Sequence, residues 1–176
     1  MCKAKTGLIV AIVCVMTLFT ITGNVLAAVD YDCYDRDNTA YTTQVRSYAE
    51  EVLEIVNEER AKRGIAPLKL MDELMEAAAI RAEEITIKMS HTRPNGEPCS
   101  SLIKQGKYTV GENIAGGAAT PAEVVDLWMH SDGHRANILN VDYEELGVGY
   151  AYRENSTYKY YWVQMFKRPM SKAIWR

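Results

Sequence analysis

Between Thr43 and Lys62 the apolar residues Val45, Tyr48, Ala49, Val52, Ile55 and Val56 recur at helical spacing, while Glu50, Glu54, Glu58 and Lys62 occupy the other face. That pattern predicts an amphipathic helix, stopped at Gly64, a residue free to adopt a left-handed cap. A second helix is predicted from about Met71 to Met89, with Leu74, Ala77, Ala78, Ile85 and Met89 as its apolar positions. Its small alanines imply close packing against another element. Pro94, Gly96 and Pro98 then enforce a loop, a short helix is expected over Ser100 to Gln105, and "GENIAGG" reads as too glycine-rich for a regular element. Thr120-Pro121-Ala122-Glu123 is a helix start, with a threonine cap, proline at the first position and a glutamate completing a capping box. This third helix should end near Met129 or His130, with Gly133 interrupting it before a short turn of helix in "HRANILN".

Beyond these helices the period changes. "ELGVGYAYR" and "YKYYWVQMFKR" alternate, are rich in valine, tyrosine and tryptophan, and flank a turn at Glu154-Asn155-Ser156, which predicts an antiparallel hairpin. Helices first and strands last give an α+β domain, with helices packed on a mostly antiparallel sheet.

The start of the chain stands apart from this pattern. Lys3 and Lys5 precede an apolar run to about Ile21, and Val25-Leu26-Ala27 offers a small-residue cleavage site, so 1–27 reads as a secretory signal peptide. A polar stretch rich in aspartate and tyrosine follows, and 28–44 is expected as an extended arm before a folded domain over 45–170. Without the leader, 18 basic residues face 23 acidic ones, a net charge of about −5. This excludes non-specific nucleic-acid binding, which draws on basic residues, and leaves no polybasic patch for anionic lipid. No membrane span is expected once the leader is removed, and the exported product is expected as a monomer, secreted or held at the cell wall. Cys33 and Cys99 remain in it. A single disulfide, two free thiols and a nucleophilic Cys99 are all open to the sequence.

The chain has three histidines, and two, His130 and His134, lie four residues apart. On one helix they would share a face, as a metalloprotease ligand pair does. Gly133 between them and the missing glutamate of that motif count against a zinc site made of these two alone. His134 and His91 each follow a helix end, and Glu112 sits in a tight, glycine-flanked turn. Two imidazoles and a carboxylate supply either a zinc site with an open position or a general acid and base; they serve equally well as helix caps.

The segments "VNEERAKRGIAPLKL", "SHTRPNG", "GENIAGG", "WMHSDGHRANILN", "ELGVGYAY" and "YYWVQMF" occur in this order from about Val52 to Phe166. Together they resemble the CAP superfamily of cysteine-rich secretory, antigen 5 and pathogenesis-related 1 proteins, and more narrowly its bacterial, secreted SCP-like branch. The resemblance implies a three-layer α-β-α sandwich with an open cleft lined by two histidines and two glutamates, where some members bind a divalent metal. His91 in "SHT", Glu112 in "GEN" and His134 in "GHR" match three of these positions. The fourth is Ser131, so a four-residue acid/base site does not carry over whole, whereas a zinc or other divalent-metal site on His91, His134 and Glu112 does. His130 matches no functional position, and Arg135, Asn113 and Asn137 are expected to hold their loops together.

Three functions follow as expectations. One is an extracellular module whose cleft binds a divalent metal, or a small lipid, glycan or peptide ligand, without turnover. Another is a metal-assisted hydrolase acting on peptide or cell-wall substrates, with Glu112 as base and His91 and His134 polarising the bond. The third is an interaction protein using its tyrosine-rich surface. Neither a serine-nucleophile elbow nor a catalytic-cysteine motif is present.

Overall fold

A computed structural model describes residues 39–103 and 108–169. The expected leader, most of the arm and Cys33 lie outside the described residues. Helix α1 spans Thr39–Ala61, so the last residues assigned to the arm are already helical, ahead of the apolar stripe. Strand β1 (Lys69–Leu70), α2 (Asp72–Ile87), β2 (Tyr108–Gly116), α3 (Pro121–Met129), α4 (Asp132–Ile138), β3 (Glu145–Tyr152) and β4 (Tyr160–Pro169) follow. The expected short helix is a 3-10 turn over Cys99–Leu102.

Two expectations are corrected. "GENIAGG" is not irregular but the second half of β2, paired along its length with β4; the pairing is long-range, and no local signal carries it. Gly133 does not break the chain: α3 ends at Met129, the break falls at His130 and Ser131, and Gly133 lies in the first turn of α4. His134 is therefore presented from a helix rather than from a bend. The start of α3 follows its sequence, with Thr120 Oγ1 accepting from the Glu123 N–H (3.3 Å) and Glu123 Oε2 accepting from the Ala119 N–H (2.7 Å).

The sheet order is β1-β3-β4-β2. The β2–β4 and β3–β4 pairs are antiparallel, and two residues of β1 pair parallel with β3, which makes the sheet mixed. Alternation splits β3 and β4 between two cores. Leu146, Val148, Trp162 and Phe166 face Val52 and Val56 of α1, Trp128 of α3 and Ile138 of α4. Val163, Met165 and Ala151 face Leu74, Ala78, Ala82 and Ile85 of α2. The chain is thus an α+β, three-layer α-β-α sandwich, with α2 alone on one face.

That single helix lies unusually near its sheet. A Cβ added at Gly147 would fall 2.1 Å from the Leu74 carbonyl oxygen, and one at Gly149 would fall 2.0 Å from that of Ala78. The glycines of "ELGVGYAY" and the alanines of α2 together bring helix backbone against strand backbone. The consequence is positional: Arg81, one turn beyond Ala77 and Ala78, is driven into the interior.

Candidate functional site

Arg81 is wholly buried and organises the C-terminal end of α2. Its Nε donates to Glu112 Oε1 (2.7 Å), its Nη1 to Glu84 Oε2 (2.6 Å) and its Nη2 to the Ser90 carbonyl oxygen (2.6 Å). Glu84, also buried, accepts from Arg93 Nε (2.9 Å) and Nη2 (2.8 Å). The segment around His91 is therefore held on both sides, through the Ser90 carbonyl by Arg81 and through the Arg93 side chain by Glu84. Buried charges persist only when paired and hydrogen-bonded, and here each carboxylate faces a guanidinium.

Glu112, on β2, completes the arrangement. Its side chain is buried, and its Oε2 lies 2.7 Å from His91 Nδ1, while the His91 side chain is 60% exposed. A carboxylate only accepts, so Nδ1 carries a proton, and in the neutral ring the lone pair is on Nε2. On the other side, α4 is stitched to β2. Asn113 Nδ2 donates to the His134 carbonyl oxygen (3.1 Å) and to Gln164 Oε1 (3.0 Å), and Asn137 Nδ2 donates to the Glu112 carbonyl oxygen (3.3 Å) and to Asn113 Oδ1 (2.8 Å). His134 opens on a cleft of about 330 Å³ that also meets Met89, Ile114, Leu127 and Tyr158.

Burial, and then electrostatic repulsion from the neighbouring His91 ring, hold the His134 imidazole below its ordinary value. His134 is therefore neutral at pH 7 and able to donate a lone pair. A ring-proton NMR titration should place its midpoint below about 6.5, and His91→Ala should move that midpoint part of the way back up. Because the unfolded chain then takes up this proton more readily than the folded one, the group's effect on stability is nil above the unfolded midpoint, turns unfavourable as pH falls through that midpoint, and levels off below the folded one. A midpoint at or above the ordinary histidine value would contradict this environment.

Of the residues singled out in the sequence, His91 and Glu112 are in contact and His134 is a near neighbour. Ser131 lines the same cleft as His134. His130 instead faces a separate groove between α1 and α3, its Nδ1 2.9 Å from the Asp126 carbonyl oxygen. Arg135 pairs with Asp132 and donates to the Met129 carbonyl oxygen (2.9 Å). Cys99 is free among the described residues, and burial together with the charge of Glu112 pushes its thiol up, which opposes a nucleophilic role. Arg81, Glu84 and Arg93 were not read as site residues. Arg81 does leave a signal: it stands four residues from both Ala77 and Ile85, inside the apolar stripe of α2.

The model of the cysteine-rich secretory protein family, CAP, matches residues 53–166, more than half of the chain. The chain belongs to the CAP family. It is 40% identical to YkwD of Bacillus subtilis over 117 residues, which cover 64% of this chain and 46% of YkwD. It is 31% identical to YlbC of the same organism, described as a membrane protein, over 56% of this chain and 30% of YlbC. The chain thus spans less than half the length of either relative. Among solved structures it is similar to an extracellular SCP-domain protein of Bacillus anthracis (TM-score 0.61, 22% identity, covering 70% of this chain and 41% of that one). It is also similar to an outer surface protein of Borrelia burgdorferi (TM-score 0.58, 21% identity, covering 68% and 90%). These likenesses establish the bacterial SCP-type CAP fold.

The fit of a divalent metal to this CAP site is decided by its donors. Among the described residues no three of His, Cys, Asp or Glu are grouped to hold an ion. Glu112 is committed, one oxygen to Arg81 and the other to His91. Two imidazole nitrogens are left, with the carboxylate behind one of them as an orienting partner of the kind metal-binding histidines have. These two nitrogens are the donors the chain would offer a divalent ion, one fewer than the three protein ligands of an open zinc site.

Proposed function

We propose that the chain is an extracellular binding module that holds a divalent metal, zinc by donor preference, between His91 and His134 and seats a small ligand in the adjoining cleft. The contact between His91 Nδ1 and Glu112 Oε2 carries this reading, because it fixes the tautomer of the neutral ring and leaves the lone pair on Nε2. The neutral His134 supports it, as does the Arg81 pairing that keeps Glu112 in place. A bound ion would supply Lewis acidity to a ligand atom beside it. The location outside the cell is supported by the apolar leader and by the extracellular and outer-surface descriptions of the structural relatives.

The same dyad favours one hydrolytic alternative, in which Glu112 supports His91 as the base that draws a proton from water. In that reading Glu112 acts through His91 instead of on the substrate.

Calorimetric zinc titration of the chain tests the binding function. Saturable binding is expected in the wild type and none in His91→Ala/His134→Ala. Glu112→Gln should weaken affinity by about 10–100-fold, the usual effect of losing a ligand's orienting partner. Equal binding by the wild type and the double variant, or none by either, would remove the metal from the site.

A further inference from the structure

The free edge of the sheet opens into the cleft beside His134. β2 is last in the strand order, and among the described residues nothing pairs along its outer side. The register shows which groups it presents there. The Gly117 N–H donates to the Tyr160 carbonyl oxygen (2.9 Å), and Ala115 opposes Trp162 and Asn113 opposes Gln164, so the odd-numbered residues exchange bonds with β4. The N–H and C=O of Glu112, Ile114 and Gly116 therefore point away from β4. The bond from Asn137 Nδ2 to the Glu112 carbonyl oxygen fixes the same parity independently. Past that bond, the outward groups of Ile114 and Gly116 meet no partner among the described residues.

Apart from Ser131 and His134, the side chains that line the cleft are apolar or aromatic. Leu127, 50% exposed, and Tyr158, 44% exposed, both line it, and so does buried Trp128, whose indole N–H finds no acceptor among the described residues. The Tyr158 ring is seated on Gly116, where an added Cβ would fall 2.6 Å from its Cγ, and it meets Tyr161 edge-on at 5.9 Å. The cleft, of about 330 Å³, is small for a ligand site, and three successive residues of β2, Ile114, Ala115 and Gly116, line it.

From this we infer that the cleft takes an extended polypeptide segment, which adds as a strand to the Ile114–Gly116 edge and lays an apolar side chain against Leu127 and Tyr158. The inference rests on the reading of the His91–His134 cleft as a binding site and names its ligand class. Backbone donors and acceptors repeat every second residue, about 6.8 Å apart along the edge, and another peptide backbone answers that repeat. An acyl chain would cover the same groups without bonding them, which is costly. A sugar ring offers hydroxyls without the repeat. Strand addition draws affinity from the main chain and selectivity from alternate side chains, which fits a polar edge flanked by mostly apolar walls.

The test is amide NMR of the full chain, titrated with a capped hexapeptide of alternating threonine and valine around one phenylalanine, and with the same peptide N-methylated at every second residue. The Ile114 and Gly116 amides should shift with the first peptide, and N-methylation should weaken binding roughly tenfold or more, the worth of one or two hydrogen bonds. Ile114→Pro removes an outward N–H and no bond to β4, a substitution that edge strands tolerate, so it should weaken binding beyond Ile114→Ala, the control for the side chain that packs against the α2 core. Equal affinity for both peptides, shifts confined to another surface, or no binding would overturn the inference. So would shifts at Ile114 and Gly116 that track protein concentration without peptide, because the edge would then serve pairing between copies. A zinc titration of the same samples separates the two claims: zinc binding without a peptide response defeats strand addition alone, and silence to both defeats the site as well.

Discussion

Arg81→Met is expected to lower the unfolding free energy by about 3–5 kcal/mol, the usual result of removing one partner from a buried ionic cluster, as measured by urea denaturation. The substitution leaves Glu84 and Glu112, whose side chains are each 2% exposed, facing apolar surface; Arg93 still reaches Glu84, and Glu112 keeps only His91. The loss is expected to come from stranded carboxylates rather than from missing volume. The triple variant Arg81→Met/Glu84→Gln/Glu112→Gln should therefore recover a large part of it, because no charge is then buried alone. If the single variant lost less than about 1 kcal/mol, the range of exposed pairs, solvent would have to reach the cluster. Zinc affinity should fall with Arg81 as well, since Ser90 and Glu112 lose the group that holds them on either side of His91.

Arg60→Leu is expected to cost at least about 3 kcal/mol, for a different reason. Arg60 is wholly buried, and among the described residues no carboxylate pairs with it. Its guanidinium instead donates to the carbonyl oxygens of Ala66 (2.8 Å), Ile138 (2.7 Å), Asn140 (2.9 Å) and Tyr143 (3.0 Å). One side chain thus fastens the turn after α1 to the segment that leads from α4 into β3. Leucine would fill the space and orphan the carbonyls of Ala66, Ile138 and Tyr143, while that of Asn140 keeps only the Tyr143 N–H (3.4 Å). Lysine, with three donors on a single nitrogen, should restore only part of the stability. Amide exchange should rise first in 138–143, because that segment has its bonds to lose. A loss near 0.5 kcal/mol, the scale of ordinary surface substitutions, would show that water replaces all four bonds.

These two arginines also mark where sequence reading stopped. The stripe of α1 runs Ala49, Val52, Val56 and then Arg60, and that of α2 runs Leu74, Ala77, Ala78, Arg81 and Ile85. In both, a charge occupies a core position, and a periodicity argument discards it as noise. Its partners are non-local: Glu112 lies 31 residues from Arg81, and the Tyr143 carbonyl lies 83 from Arg60. The elements that local rules govern were legible: the amphipathic helices, the Thr120 cap and the terminal hairpin. Strand β2 was not, because its glycines depress local strand propensity and its pairing is made with a strand some fifty residues away. His91, Glu112 and His134 were legible as candidates through resemblance. That Glu112 is already engaged at both oxygens required coordinates.

The contact of α2 with β3 through Gly147 and Gly149 bears on how such a scaffold diversifies. Where a helix rests on side chains, each change of volume in the interface shifts it, and everything carried at its end shifts too. Here the spacing is set by one main chain lying on another, so drift among neighbouring aliphatic residues leaves the height of the helix nearly constant. The loop that begins at Ser90 then behaves as an interchangeable cassette on a fixed mount. Lineages could rewrite what the cleft recognises without re-solving how the domain packs, provided that two residues without side chains stay as they are.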